Sequence, residues 1–98
     1  MIVKESQIER KICKHADLRG CIAFKFVSPG RAGVPDRAIL LPDANVIFME
    51  VKTPTGIVSA SQKNEHRLIR ACGHTVYVVD SVEEGKQIID EHIKKIKG

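Results

Sequence analysis

Two short apolar runs, Ala38-Ile39-Leu40-Leu41 and Val46-Ile47-Phe48-Met49, stand either side of Pro42-Asp43-Ala44-Asn45, and no other feature limits the possible folds of this chain so closely. Apolar runs around a turn-forming tetrapeptide predict strands at residues 37–41 and 46–52, folded back on each other as an antiparallel hairpin. Both strands meet charge at the same end of that hairpin. Asp36 opens the first, and Glu50 and Lys52 close the second. In antiparallel pairing the start of one strand lies beside the end of the other, so Asp36 falls next to the Glu50–Lys52 stretch. Glu50 and Lys52 are two apart and leave the same face. Asp36 shares that face if the loop has three residues or the ladder carries a bulge, and a strict two-residue loop puts it on the other face. The register is open at this point.

The flanking segments supply the remaining elements. Ile8, Ile12 and Ala16 recur every four residues, which predicts an amphipathic helix over residues 4–18 that stops at Gly20. Ile22, Phe24 and Phe26 alternate, as a half-buried strand over residues 21–28 should. Residues 29–33, Pro-Gly-Arg-Ala-Gly, form a loop whose glycines permit unusual backbone angles or close approach of a ligand. Ser59 is an N-cap for a helix reaching Ala71, with Gly73 as its stop. Residues 75–79 are β-branched and aromatic, which predicts a strand buried on both faces. Ser81 and Glu84 read as a capping box for a last helix whose buried stripe is Val82, Ile89, Ile93 and Ile96. Lys94, Lys95 and Lys97 sit in its final turn, where cations suit the helix dipole. The order is α-β-β-β-α-β-α, an α/β fold in one domain over residues 1–98, since this length leaves no room for a second core.

Composition excludes more than it suggests. Sixteen Lys and Arg against twelve Asp and Glu leave a formal charge of +4, compatible with a polyanionic partner without demanding one. Cys13, Cys21 and Cys72 are odd in number and form no CxxC, which points to free thiols in a reducing compartment. The four histidines show no HxH or HExxH spacing, against a zinc site, and His66 with Cys72 falls on a helix and its end rather than in a thiol–imidazole pair. No apolar run approaches the ~18 residues of a membrane span. An intracellular, cytoplasmic and DNA-associated protein of phage, bacterial or other origin is the expectation.

Two carboxylates held close repel each other unless a cation lies between them. Mg²⁺ suits such a place, because it takes one or two carboxylates, several waters and phosphate oxygens. The Val51 carbonyl, between the two site side chains, offers a further oxygen. Lys52 would then orient or deprotonate a water and neutralise charge on a phosphate. Asp36 with Glu50-Val51-Lys52 is the PD…ExK pattern of metal-dependent nucleases, although an isolated ExK is more often a plain ion pair.

The longer motifs are more specific. Gly33-Val34-Pro35-Asp36, then Glu50-Val51-Lys52-Thr53-Pro54-Thr55-Gly56, then Ser59-Ala60-Ser61-Gln62, and finally Gly73-His74-Thr75-Val76-Tyr77-Val78-Val79 occur in that order. Together they resemble the VRR-NUC (virus-type replication-repair nuclease) family of the PD-(D/E)xK superfamily over nearly the whole chain. The resemblance implies a restriction-endonuclease-like core with a mixed sheet flanked by helices, and a Mg²⁺- or Mn²⁺-dependent endonuclease leaving 5′-phosphates. By the same resemblance, and by that to archaeal Holliday-junction resolvases, an acid of the first helix joins the metal ligands Asp36 and Glu50. Glu9 has the matching distance to Gly20, and Glu5 one turn earlier is the alternate. Gln62 would orient Lys52 or the phosphate.

Ser28, Arg31 and Lys63 are candidate DNA contacts. Arg31 is the most pointed of them, because a guanidinium in a glycine-rich loop beside the site can take a phosphate with two bonds. A solvated helix face is the plainer reading of Lys63 and Arg67. Nothing in the chain resembles a base-reading element, so the expected specificity is for DNA shape. Minimal members of the family resemble junction resolvases, and a homodimer would match the two-fold symmetry of a four-way junction. A flap or restriction-type nuclease on the same core, or a non-catalytic DNA-binding module, are the alternatives.

Overall fold

The computed structural model describes residues 3–98. The elements run α1 (Glu5–Leu18), β1 (Ile22–Lys25), β2 (Arg37–Leu40), β3 (Val46–Val51), α2 (Ala60–Ala71), β4 (Thr75–Val79) and α3 (Val82–Lys97). This is the expected α-β-β-β-α-β-α order. The four strands form one mixed sheet in the order β1-β2-β3-β4. β1, β2 and β3 pair antiparallel, whereas β4 returns through α2 to lie parallel to β3, since parallel neighbours need a long crossover.

The hairpin loop decides the register. The Leu41 N–H donates to the Asn45 carbonyl at 2.8 Å, closing a three-residue loop of Pro42, Asp43 and Ala44. Asp43 accepts from the backbone and side-chain nitrogens of Asn45 at 3.1 and 2.7 Å, bonds that hold its carboxyl below the ordinary range. Ala44 takes the left-handed conformation, φ 73°, that such a loop requires at its last position. Arg37 therefore lies opposite Met49 and Ile39 opposite Ile47. One step further along that register Asp36 faces Glu50, and directly opposed residues point to the same side of a sheet.

The two faces of the sheet differ in chemistry. Ile39, Ile47, Met49, Val51 and Val79 point to one side and pack with Ile8, Ile12 and Ala16 of α1 and Ile89 and Ile93 of α3 into a single core. α1 and α3 come so close that a Cβ on Gly85 would lie 2.4 Å from Ile12 Cδ1. The other face carries Asp36, Glu50 and Lys52, and α2 packs there against β4.

Three local expectations are corrected. β1 is shorter than residues 21–28, and its alternating Ile22 and Phe24 are 52% and 54% exposed. β1 is an edge strand, and α2 lies over the other end of the sheet, so Cys21 is the residue that enters the core. β4 is buried on both faces only in part, because it forms the opposite edge: Val76 on one face and Val79 on the other are buried, but Thr75 and Val78 are exposed. At α3 the Ser81 hydroxyl accepts from the Glu84 N–H, while the Glu84 carboxylate accepts from Asp80 rather than from Ser81, so the box is only half formed.

Candidate active site

Asp36 stands where the ladder between β2 and β3 runs out. The register would next pair position 35 with Val51, but Pro35 has no N–H to donate to the Val51 carbonyl. The Val51 N–H, in turn, donates to Asp36 Oδ2 at 2.7 Å. The acid thus completes the hairpin with its side chain, and its carboxylate is held at the sheet end beside Glu50.

Glu50 is 1% exposed. Lys52 Nζ lies 3.6 Å from its Oε2, and the Gln62 amide nitrogen donates to the same oxygen at 3.2 Å. Gln62 is itself oriented by the start of α2. Its Oε1 accepts from the Ser59 N–H at 2.9 Å while Ser59 Oγ accepts from the Gln62 N–H at 3.2 Å, a complete capping box. The amide oxygen is occupied by the cap, so the amide nitrogen must face the carboxylate. Burial first, then the charge of Asp36, pushes the Glu50 carboxyl up to about 7, and Lys52 only partly offsets this. A buried carboxylate facing a second acid is an environment deficient in positive charge.

The glycine loop seats α2 over this site. Gly33 has φ +84°, and a Cβ there would come within 2.3 Å of the Ser61 carbonyl oxygen, so only glycine lets the loop touch the first turn of α2. Arg31 completes the junction with a fork onto Glu65, Nε and Nη2 donating at 2.7 and 3.1 Å. The pair holds the Glu65 carboxyl below its ordinary range.

The chain has relatives among known proteins. No family model matches the sequence. A phage protein, "Putative nuclease p44" of Acyrthosiphon pisum secondary endosymbiont phage 1, is 44% identical over 80 residues, spanning 82% of this chain and 86% of that protein. A solved structure described as a VRR_NUC domain superposes with a TM-score of 0.82 at 28% identity, covering 91% of this chain and 97% of the other. The chain belongs to the VRR-NUC family. Its sheet order and flanking helices are those of the VRR-NUC fold.

Within this VRR-NUC chain the structure gathers four of the expected site residues, Asp36, Glu50, Lys52 and Gln62, on one face. Glu9 is not among them. Its carboxylate accepts from Arg37 Nε, and Arg37 follows Asp36 in the chain, so its side chain leaves the opposite face of the sheet. Glu5, the alternate, lies exposed on the first turn. Arg31 is engaged by Glu65, and Ser28 accepts at its carbonyl from the Arg31 N–H at 3.3 Å, so both shape the loop. Lys63 is exposed on α2.

One residue at the site went unpredicted. His66, on α2 one turn after Gln62, is 2% exposed with Nε2 at 3.5 Å from Glu50 Oε1. The i, i+4 spacing from Gln62 was visible in the sequence, but nothing there distinguished a buried histidine from a solvated one.

Among the described residues no three His, Cys, Asp or Glu side chains are gathered so as to hold an ion by themselves. The donor set nonetheless fits a hard divalent cation. Two opposed carboxylates and a backbone carbonyl lacking its ladder donor leave the remaining positions to water and phosphate, as Mg²⁺ prefers.

Proposed function

We propose that this VRR-NUC protein is a divalent-cation-dependent, structure-specific endonuclease that hydrolyses DNA phosphodiester bonds, acting on branched DNA, four-way junctions foremost. The observation that carries the reading is the pair of opposed acids, Asp36 and the buried Glu50, with Lys52 and Gln62 converging on one Glu50 oxygen. The nuclease named among its relatives supports the same reaction class.

Asp36, Glu50 and the Val51 carbonyl would hold Mg²⁺ or Mn²⁺. Bound there, the ion would supply Lewis acidity at the scissile phosphate and an ionisable water. Asp36, clamped by the Val51 N–H, presents its other oxygen in a fixed direction. Lys52, only 14% exposed at its side chain, keeps a cation beside the acids without a large loss of side-chain freedom on binding substrate. Its ammonium would neutralise charge on the phosphate and steer the attacking water. Gln62 keeps Glu50 from turning, because the cap fixes the amide.

The proposed assembly is a homodimer, whose two sites would cut opposed strands of a junction symmetrically. Ile22, Phe24 and Leu40, exposed on the uncovered part of the sheet, provide apolar surface for such an association.

The test is cleavage of a four-way junction, a flap and a linear duplex, with Mg²⁺ and with a chelator. Symmetric, ion-dependent incision of the junction is the expected result. Preference for the flap or the duplex would move the protein to the alternative nuclease class. Binding without incision of any substrate would reduce it to a DNA-binding module.

A further inference from the structure

α2 buries the wrong kind of residue for a structural helix. The side chains that α1 and α3 bury are apolar, whereas the covered residues of α2 are Glu65 and His66. Glu65 is accounted for by Arg31. His66 Nε2 and Glu50 Oε1 are both buried and face each other at 3.5 Å, and neither has a hydrogen-bond partner among the described residues. A leucine would fill the same space without burying a ring nitrogen that lacks a partner.

Once Glu50 is ionised, as a metal ligand must be, it only accepts, so the two orphaned atoms are then satisfied together only by a proton on Nε2. Burial, then the charges of Arg70 and Lys52, lowers the pKa of the imidazole, with Asp36 and Glu65 acting the other way. The contact assigns a proton to Nε2 whether or not the ring carries a second one on Nδ1. Gln62 and His66 are four residues apart and share a helix face. One helix thus offers two donors to one carboxylate, the Gln62 amide to Oε2 and the His66 ring to Oε1.

We propose that His66 is a positioning residue: its Nε2–H holds Glu50 Oε1 and, with Gln62, fixes the plane of the carboxylate that binds the catalytic cation. The inference rests on the metal-nuclease reading and adds a residue to it. Partners of this kind, one bond removed from the ion, typically change metal affinity 10–100-fold when lost.

The experiment compares His66→Leu, which fills the volume without a donor, with His66→Gln, whose amide restores one. Mn²⁺ affinity is measured by titration calorimetry, and thermal melting reports folding. The expected result is roughly a 10–100-fold weaker Mn²⁺ site in His66→Leu, with most of the loss recovered in His66→Gln. The unaltered, metal-free protein at about pH 8.5 should show the Nε2-protonated tautomer by ¹⁵N-coupled NMR, a readout that survives even if a variant fails to fold. An Nδ1-protonated ring, or equal Mn²⁺ affinity in folded His66→Leu and wild type, would overturn the proposal while leaving the nuclease reading intact. Failure of the unaltered protein to bind Mn²⁺ at all would remove the metal reading, and this proposal with it.

Discussion

Glu50 is the residue at which folding and chemistry pull in opposite directions. Its carboxyl, ordinarily near 4.5, is held up to about 7 by burial and by Asp36, so below about pH 7 the folded metal-free chain favours its neutral form. A group whose folded pKa is raised contributes stability in full below its unfolded pKa and loses it as pH rises through the folded one. The metal-free protein should therefore lose stability through Glu50 between about pH 4.5 and 7, by at most about 3 kcal/mol. Glu50→Gln removes the titration. In chelator its melting temperature should match wild type near pH 5 and exceed it near pH 8, and a gap independent of pH would contradict the assignment. At the same scale, Asp36→Asn and Lys52→Ala should each abolish ion-dependent cleavage while leaving junction binding within a few-fold in gel-shift titrations. Undiminished cutting by either would end the catalytic assignment. These residues were legible because their placement is local: alternation and one loop length bring Asp36, Glu50 and Lys52 together. The pairing of Glu9 was not legible because it depends on Arg37, 28 positions away and brought to it only by tertiary packing.

At the scale of elements, the order of helices and strands was legible from periodicity, caps and turn residues, but strand neighbours were not. Which strand becomes an edge depends on where the helices settle, and this left Ile22 and Phe24 exposed against the expectation. The junction of the glycine loop with α2 carries a sharp prediction. Gly33→Ala forces a side chain both into left-handed backbone and into the Ser61 carbonyl. It should cost at least about 2 kcal/mol in urea unfolding and reduce cleavage further, because α2 carries Gln62 and His66. The hairpin loop predicts the reverse sign. Ala44→Gly relieves a left-handed alanine at an exposed turn and should raise stability by about 0.5–1 kcal/mol without changing activity.

For the molecule as a whole, the proposed site sits at one end of the sheet and the core on one face of it. Among the described residues no helix is long and apolar enough to cross a membrane. The proposed homodimer is checked by sedimentation: dimers at micromolar concentration are expected, weakened by Phe24→Glu, and a monomer even in the presence of junction DNA would refute it. The structure also changes how a silent relative of this chain should be recognised. Asp36 ties down the Val51 N–H at the hairpin end, so a lineage that abandoned cleavage would still have a folding reason to keep it. Glu50 offers no such shelter, because an acid driven up to about 7 in a dry site burdens the fold that retains it. On the proposed mechanism the second acid, not the first, would mark a working enzyme over evolutionary time, and its replacement by a neutral side chain would be the first trace of disuse.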